Sequence, residues 1–134
     1  MKNIFTLMVL ICTLFMASAA SATPASDELF AKFKSEGAGN FSVEQGKKNW
    51  TKEFKGEGSE VISCTTCHSD DLTKDGKHHK TGKLIKPMAP SANAERFTDA
   101  KKIEKWFKRN CNDVWNRECT AQEKGDILKF LLSK

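Results

Sequence analysis

With 134 residues, the chain is long enough for one small domain and for no more than a thin hydrophobic core. Its formal net charge of +5 is a mild excess that suits a solvated face or an acidic partner surface. No nucleic-acid motif accompanies it, which excludes that class of partner.

Residues 1–22 read as a secretory leader. Lys2 supplies the positive start, Ile4 to Phe15 is an apolar run too short to span a bilayer, and Ala20-Ser21-Ala22 is an A-x-A cleavage site, with Ala17-Ser18-Ala19 as the alternative. A lipid anchor on Cys12 is disfavoured, because Ile11 stands before it where a small residue is wanted. The domain is therefore expected over residues 23–134, outside the cytoplasm in the periplasm, and not embedded in a membrane.

Helices follow in order. Ser26 is expected to cap a run with Leu29, Phe30 and Phe33 on one side, stopped by Gly37. Ser42 and Gln45 have capping-box spacing ahead of Val43, Trp50 and Phe54. Gly46 falls inside that second helix, where it costs about 1 kcal/mol unless a close backbone contact requires it.

Cys64-Thr65-Thr66-Cys67-His68 comes next. C-x-x-C-H is the covalent attachment site of c-type haem: two thioethers to the porphyrin, with the adjacent imidazole as an axial iron ligand. Cysteines three apart sit about one tight helical turn from each other, so both sulfurs reach one porphyrin edge. A thioredoxin-like dithiol wants a βαβ setting and has no use for the following histidine. A zinc site would need a second closely spaced pair, and Cys111 and Cys119 are too far apart to supply it. One covalent haem c is the expected cofactor, and it would supply apolar interior that a chain this short lacks.

Ser69 to Asn93 is polar and punctuated by Gly76, Gly82, Pro87 and Pro90, which predicts a loop around the haem edge. Thr98 is expected to open a third helix with Ile103, Trp106 and Phe107 inward. Thr120 and Glu123 form a capping box before Ile127, Leu128, Leu131 and Leu132. No strand pattern, repeat or second C-x-x-C-H is present, so the fold class is all-α. Once Cys12 leaves with the leader and Cys64 and Cys67 take haem, Cys111 and Cys119 remain as an even pair in an oxidising compartment, which predicts a disulfide. Closing so short a loop stabilises by roughly 2–3 kcal/mol on the chain-entropy model.

The order of a helix, the haem motif behind it, a middle helix and a last helix resembles class I cytochromes c over roughly Phe41 to Lys134. In that fold the first and last helices cross at a glycine, and Gly46 matches it. The resemblance implies His68 on one face of the iron and a methionine on the other, from the loop between the third and last helices. Here that loop, Asn110 to Cys119, contains no methionine. Met88, in Lys86-Pro87-Met88-Ala89-Pro90, would have to ligate from an earlier loop; otherwise it fills space against the haem edge. His78 and His79 sit in a charged, glycine-flanked loop that reads as solvated.

The segments Arg109-Asn110-Cys111-Asn112-Asp113, Arg117-Glu118-Cys119-Thr120 and Glu123-Lys124-Gly125-Asp126 resemble the SHP family of oxygen-binding monohaem cytochromes c. So do Ile85 to Pro90 and Arg96-Phe97-Thr98-Asp99. The resemblance implies an asparagine distal ligand beside a disulfide. It falls on Asn110, next to the Cys111/Cys119 pair, with Asn112 in reserve; taken alone, each asparagine reads as a helix C-cap or turn residue. It further implies a distal amide released on reduction, so that ferrous haem binds O2, NO or CO, with electrons from a redox partner such as another c-type cytochrome. The alternatives are an ordinary His68/Met88 electron shuttle and a small haem enzyme turning over oxygen, nitric oxide or peroxide. Turnover calls for a distal acid–base group, and no buried histidine or arginine pair is evident near Asn110.

Overall fold

The computed structural model describes residues 22–55 and 60–134. The expected leader lies outside these residues except for Ala22, which is exposed. The helices are α1 (Pro24–Ser35), α2 (Val43–Thr51), α3 (Thr65–His68), α4 (Ala100–Trp115) and α5 (Ala121–Leu132), and the strands β1 (Phe54–Lys55), β2 (Val61–Ile62), β3 (Gly76–Lys77) and β4 (Leu84–Ile85). The fold is all-α around α5, as expected. The strands form two antiparallel two-residue ladders, β1 with β2 and β3 with β4. Ladders this short carry no readable alternation, which is why the sequence shows none.

α5 is the keel. Ile127 and Leu131 pack with Trp50 and Phe130 on the haem-motif side of the core. Leu128 and Leu132 turn the other way, onto Leu29 and Phe33 of α1 and Ile103 of α4. α2 crosses α5 at Gly46, where an added Cβ would lie 2.6 Å from Phe130 Cβ and would run into the backbone carbonyl of Asp126. The expected crossing glycine is therefore Gly46. A second close approach was not read from the sequence: a Cβ on Gly125 would enter the Phe41 ring. The buried Asp126 carboxylate accepts from the Ser42 backbone N–H at 2.8 Å and from Gln122 Nε2 at 3.1 Å, tying the start of α2 to α5.

Several helix ends differ from expectation. α1 is capped by Thr23, not Ser26; Ser26 is fully buried as the reciprocal partner in that capping box. Thr23 Oγ1 also donates to the Phe97 carbonyl at 2.5 Å, so this cap doubles as a tertiary tie that no local pattern announces. Ser42 caps α2 by accepting from the Gln45 N–H, but the Gln45 side chain donates to Asn49 at 3.0 Å instead of closing the box. Asp99, not Thr98, caps α4, and Thr98 donates to the Glu95 carbonyl at 2.9 Å. Trp106 is 42% exposed rather than inward. Ile103, Phe107, Cys111 and Val114 form the inward stripe of α4, and the Trp106 ring lies 5.5 Å from the Arg109 guanidinium. The Thr120/Glu123 box is present as read.

Gly46→Ala should destabilise by about 1–3 kcal/mol, because a backbone carbonyl cannot move aside as a side chain can. Urea unfolding checks this; a midpoint indistinguishable from the parent would show that the crossing tolerates a methyl group.

Candidate haem site

The attachment motif forms a single tight turn. Cys64 stands at the head of α3, the His68 N–H donates to the Cys64 carbonyl at 3.1 Å, and Ser69 ends the turn at φ 65°. The Ser63 N–H donates to Thr66 Oγ1 at 2.9 Å, and the Ser63 and Thr65 hydroxyls are 2.6 Å apart, so the hydroxyl residues around Cys64 lock the turn's start. Gly76 of β3 presses on its far end, where a Cβ would collide with the Cys67 carbonyl. Read only as loop punctuation in the sequence, Gly76 is in fact the residue that lets the β3–β4 hairpin seat against the motif. The His79 N–H donates to Cys67 Sγ at 3.4 Å and its Nδ1 lies 3.3 Å from the same sulfur. His78 and His79 stack at 5.4 Å.

Burial decides the chemistry of these side chains. It pushes the Cys64 thiol up to about 12, the opposite of the lowered value a dithiol redox motif depends on. It pushes the His68 imidazole down to about 4, helped by the positive charge of Arg96. The ring is therefore neutral and offers a lone pair to a metal. It packs on Trp50, centroids 5.2 Å apart, and its buried Nδ1 has no partner among the described residues. No group of three or more His, Cys, Asp or Glu that could hold a bare metal ion occurs among the described residues.

A haem suits what is there. Trp50 Nε1 and Trp115 Nε1 are buried N–H donors without partners among the described residues. Both tryptophans belong to the core cluster against which Cys64 and Met88 pack. Buried donors need acceptors, and haem brings carboxylates together with an apolar ring. Cys64, Cys67 and His68 are all half-buried, placed to hold that ring. The two indoles were read from the sequence as core or not at all; an aromatic residue with a polar tip was the available signal.

α4 and the Met88 strap also pack on this core cluster. α4 continues to Trp115, so Asn110, Cys111 and Asn112 are helical, and the loop expected from Asn110 onward begins only at Asn116. Asn110 is half-buried at the position between Phe107 and Val114, beside the buried Cys111. Asn112 is exposed, and its Nδ2 donates to the Lys108 carbonyl at 2.6 Å. Asn116 is the left-handed C-cap, φ 51°. The three asparagines thus divide into one on the core-facing stripe, one facing out and one turn residue. Cys111 and Cys119 approach to a Cα separation of 5.7 Å, within disulfide range. The strap is held from both sides: the Met88 and Ala89 N–H groups donate to the Leu72 carbonyl at 3.0 and 2.9 Å. Arg96 Nε donates to the Pro87 carbonyl at 2.8 Å, and Arg96 Nη2 to the Lys86 carbonyl at 2.6 Å. Met88 is half-buried and packs on the Trp50–Trp115 cluster.

A family described as a domain of unknown function, DUF1924, matches residues 36–131. The cytochrome c-type protein SHP of Cereibacter sphaeroides is 40% identical over 118 residues, 88% of this chain and 89% of that one. Cytochrome c'' of Methylophilus methylotrophus is 36% identical over 93 residues, 69% of this chain and 65% of that one. The structure of oxidized SHP, an oxygen-binding cytochrome c, superposes with a TM-score of 0.74 at 39% identity, covering 81% of this chain and 96% of that one. The solution structure of the Methylophilus methylotrophus cytochrome c'', concerned with haem-ligand detachment, gives a TM-score of 0.69 at 31% identity over 81% of this chain and 93% of that one. With its C-x-x-C-H turn, neutral half-buried His68 and matching fold, the chain belongs to the DUF1924 family as a monohaem cytochrome c of the SHP and cytochrome c'' kind.

Proposed function

We propose that this protein is a periplasmic electron carrier whose reduced form opens a haem position to a diatomic ligand, the opening being controlled by Asn110. The observation that carries the reading is the place of Asn110 on α4. It lies on the half-buried stripe beside Cys111, in a stretch that offers no methionine. Cys64 and Cys67 would hold one covalent haem c and His68 would be its proximal ligand. Haem supplies a one-electron couple and an iron that can take a small ligand. The Asn110 amide oxygen is a hard neutral donor, better matched to the ferric than to the ferrous charge. It would therefore favour the oxidised group and hold the reduced one only weakly. The Cys111–Cys119 link would restrain the end of α4 so that the amide stays close for rebinding. Two relatives support the reading: SHP is an oxygen-binding cytochrome c, and cytochrome c'' has been studied for haem-ligand detachment. The leader over residues 1–22 and the redox partner, another c-type cytochrome, belong to the same proposal.

Absorption spectra with and without CO test it. The ferric protein should lack the weak far-red band of a methionine–iron bond. Reduction should give a high-spin, five-coordinate ferrous form that binds CO rapidly. Asn110→Ala should leave the ferric form high-spin or water-ligated, raise the reduction potential and leave ferrous CO binding nearly unchanged, while Asn112→Ala should do none of this. A low-spin ferrous spectrum with slow CO uptake, or a far-red band that disappears in Met88→Ala, would establish a permanent ligand and an ordinary shuttle.

The cysteine pair gives a separate expectation. Alkylation under denaturing, non-reducing conditions should find no free thiol at Cys111 or Cys119, and reduction should lower stability by roughly 2–3 kcal/mol. The ferric spin state should change more than helicity. Labelling of both cysteines in freshly isolated protein would remove the disulfide from the scheme.

A further inference from the structure

We infer that the outer face of the β3–β4 hairpin is the docking surface for an acidic electron-donor protein, with Leu84 at its centre and Lys77, Lys80, Lys83 and Lys86 around it. The inference rests on the cytochrome assignment but not on the role of Asn110.

The argument starts from charge. Between Gly76 and Ala94 the chain carries those four lysines and no Asp or Glu. All four are exposed, and none forms an ion pair among the described residues. Glu60, 4.0 Å from His79 Nε2, and Asp75, just before Gly76, stand at the margins.

The register of the ladder then separates two faces. Gly76 pairs with Ile85, and Lys77 pairs with Leu84. Gly76 is buried against the Cys67 carbonyl and Ile85 is half-buried. Lys77 and Leu84 therefore share the opposite, solvent face. Leu84 is 64% exposed, one of few large apolar side chains left so open among the described residues. An apolar centre ringed by like charges is the anatomy of a protein-docking patch, in which the centre contributes affinity and the ring steers encounter.

Position supplies the purpose. The hairpin sits directly on the haem-attachment turn, through Gly76 on Cys67 and the His79 N–H on Cys67 Sγ. A donor held on its outer face would be brought close to the attachment edge, where a short transfer path is needed. The electrostatic sign of the patch selects an acidic donor.

Oxidised flavodoxin, an acidic protein that transfers nothing, measures binding to the haem-loaded protein by calorimetry. Flavodoxin hydroquinone then measures transfer, one electron passing to the ferric protein to leave the semiquinone and the ferrous protein. At low salt the rate constant should be high, falling about tenfold or more as ionic strength rises to screening levels. Lys77→Glu, Lys80→Glu and Lys83→Glu together should lower both binding and rate by at least about tenfold at low salt, with the haem spectrum unchanged. Leu84→Ser should weaken binding with little effect on its salt dependence. Lys101→Glu, Lys102→Glu and Lys105→Glu on α4 are the control and should change either quantity less than about twofold. Equal losses in the two triple variants, or none in the hairpin variant, would overturn the assignment. Hairpin-dependent binding to vesicles of phosphatidylglycerol with flavodoxin kinetics unaltered would also overturn it, in favour of a membrane surface. The CO experiment on Asn110 is independent of all these results.

Discussion

The backbone contact between α2 and α5 at Gly46 sets the position of almost everything that matters for the haem. Because no Cβ intervenes, α2 can lie close enough for its carbonyl-facing side to meet Asp126 and for Trp50 to reach Phe130, centroids 6.4 Å apart. Trp50 in turn packs on His68. α5 is the other beneficiary: with α2 on one side and α1 on the other, nearly every apolar residue it carries is buried. Its first turn is held by the Thr120/Glu123 box, with Arg117 bridging Glu123 at 2.7 and 2.8 Å. That clamp places Cys119, and Cys119 places the end of α4. The Gly46 contact thus reaches His68 through Trp50.

The two parts of the candidate site are built on different principles. His68, Cys64 and Cys67 lie within five consecutive residues, and their mutual geometry is a property of one turn that needs only to be held. Ser63, Thr66 and Gly76 do the holding. The rest of the candidate site is assembled from distant segments: Asn110 and Cys111 from α4, Met88 from a strap fastened by Leu72 and Arg96. A local motif tolerates change around it. A surface made of long-range contacts does not.

Burial works in opposite senses within the site, and both help. It keeps His68 neutral, as a metal-binding imidazole must be, and it suppresses ionisation of the half-buried Cys64, so that cysteine does not invite stray thiol chemistry. The same low-polarity setting leaves the indole N–H groups of Trp50 and Trp115 wanting acceptors. Apart from the buried Asp126 carboxylate, charge lies mostly on the outside, with exposed lysines on the β3–β4 hairpin and on α4.

What the chain alone determined was whatever depends on short spacing. The attachment turn, the Thr120/Glu123 box and the apolar stripe of α5 were legible because each is a pattern within a few residues of its own partner, whereas the crossing at Gly46, whose partners Asp126 and Phe130 are distant in sequence, was legible only through the resemblance to class I cytochromes c. The Ser26 and Thr98 caps were misplaced because the true caps, Thr23 and Asp99, were chosen by tertiary ties and by the positive φ of Phe97. Trp106 was taken as inward because its spacing fits a helix face, and only the neighbours of α4 decide which face is covered. The length of α4 was missed for a similar reason: Asn110, Asn112 and Asp113 have modest helix propensity, and packing of Cys111, Val114 and Trp115 overrides it. By the resemblance, sequence placed the ligand on Asn110 with Asn112 in reserve, while by the residues alone Asn110, Asn112 and Asn116 all read as cap or turn residues. Tertiary structure alone separates them, since a helix turns about 100° per residue and neighbours along the chain face different surroundings.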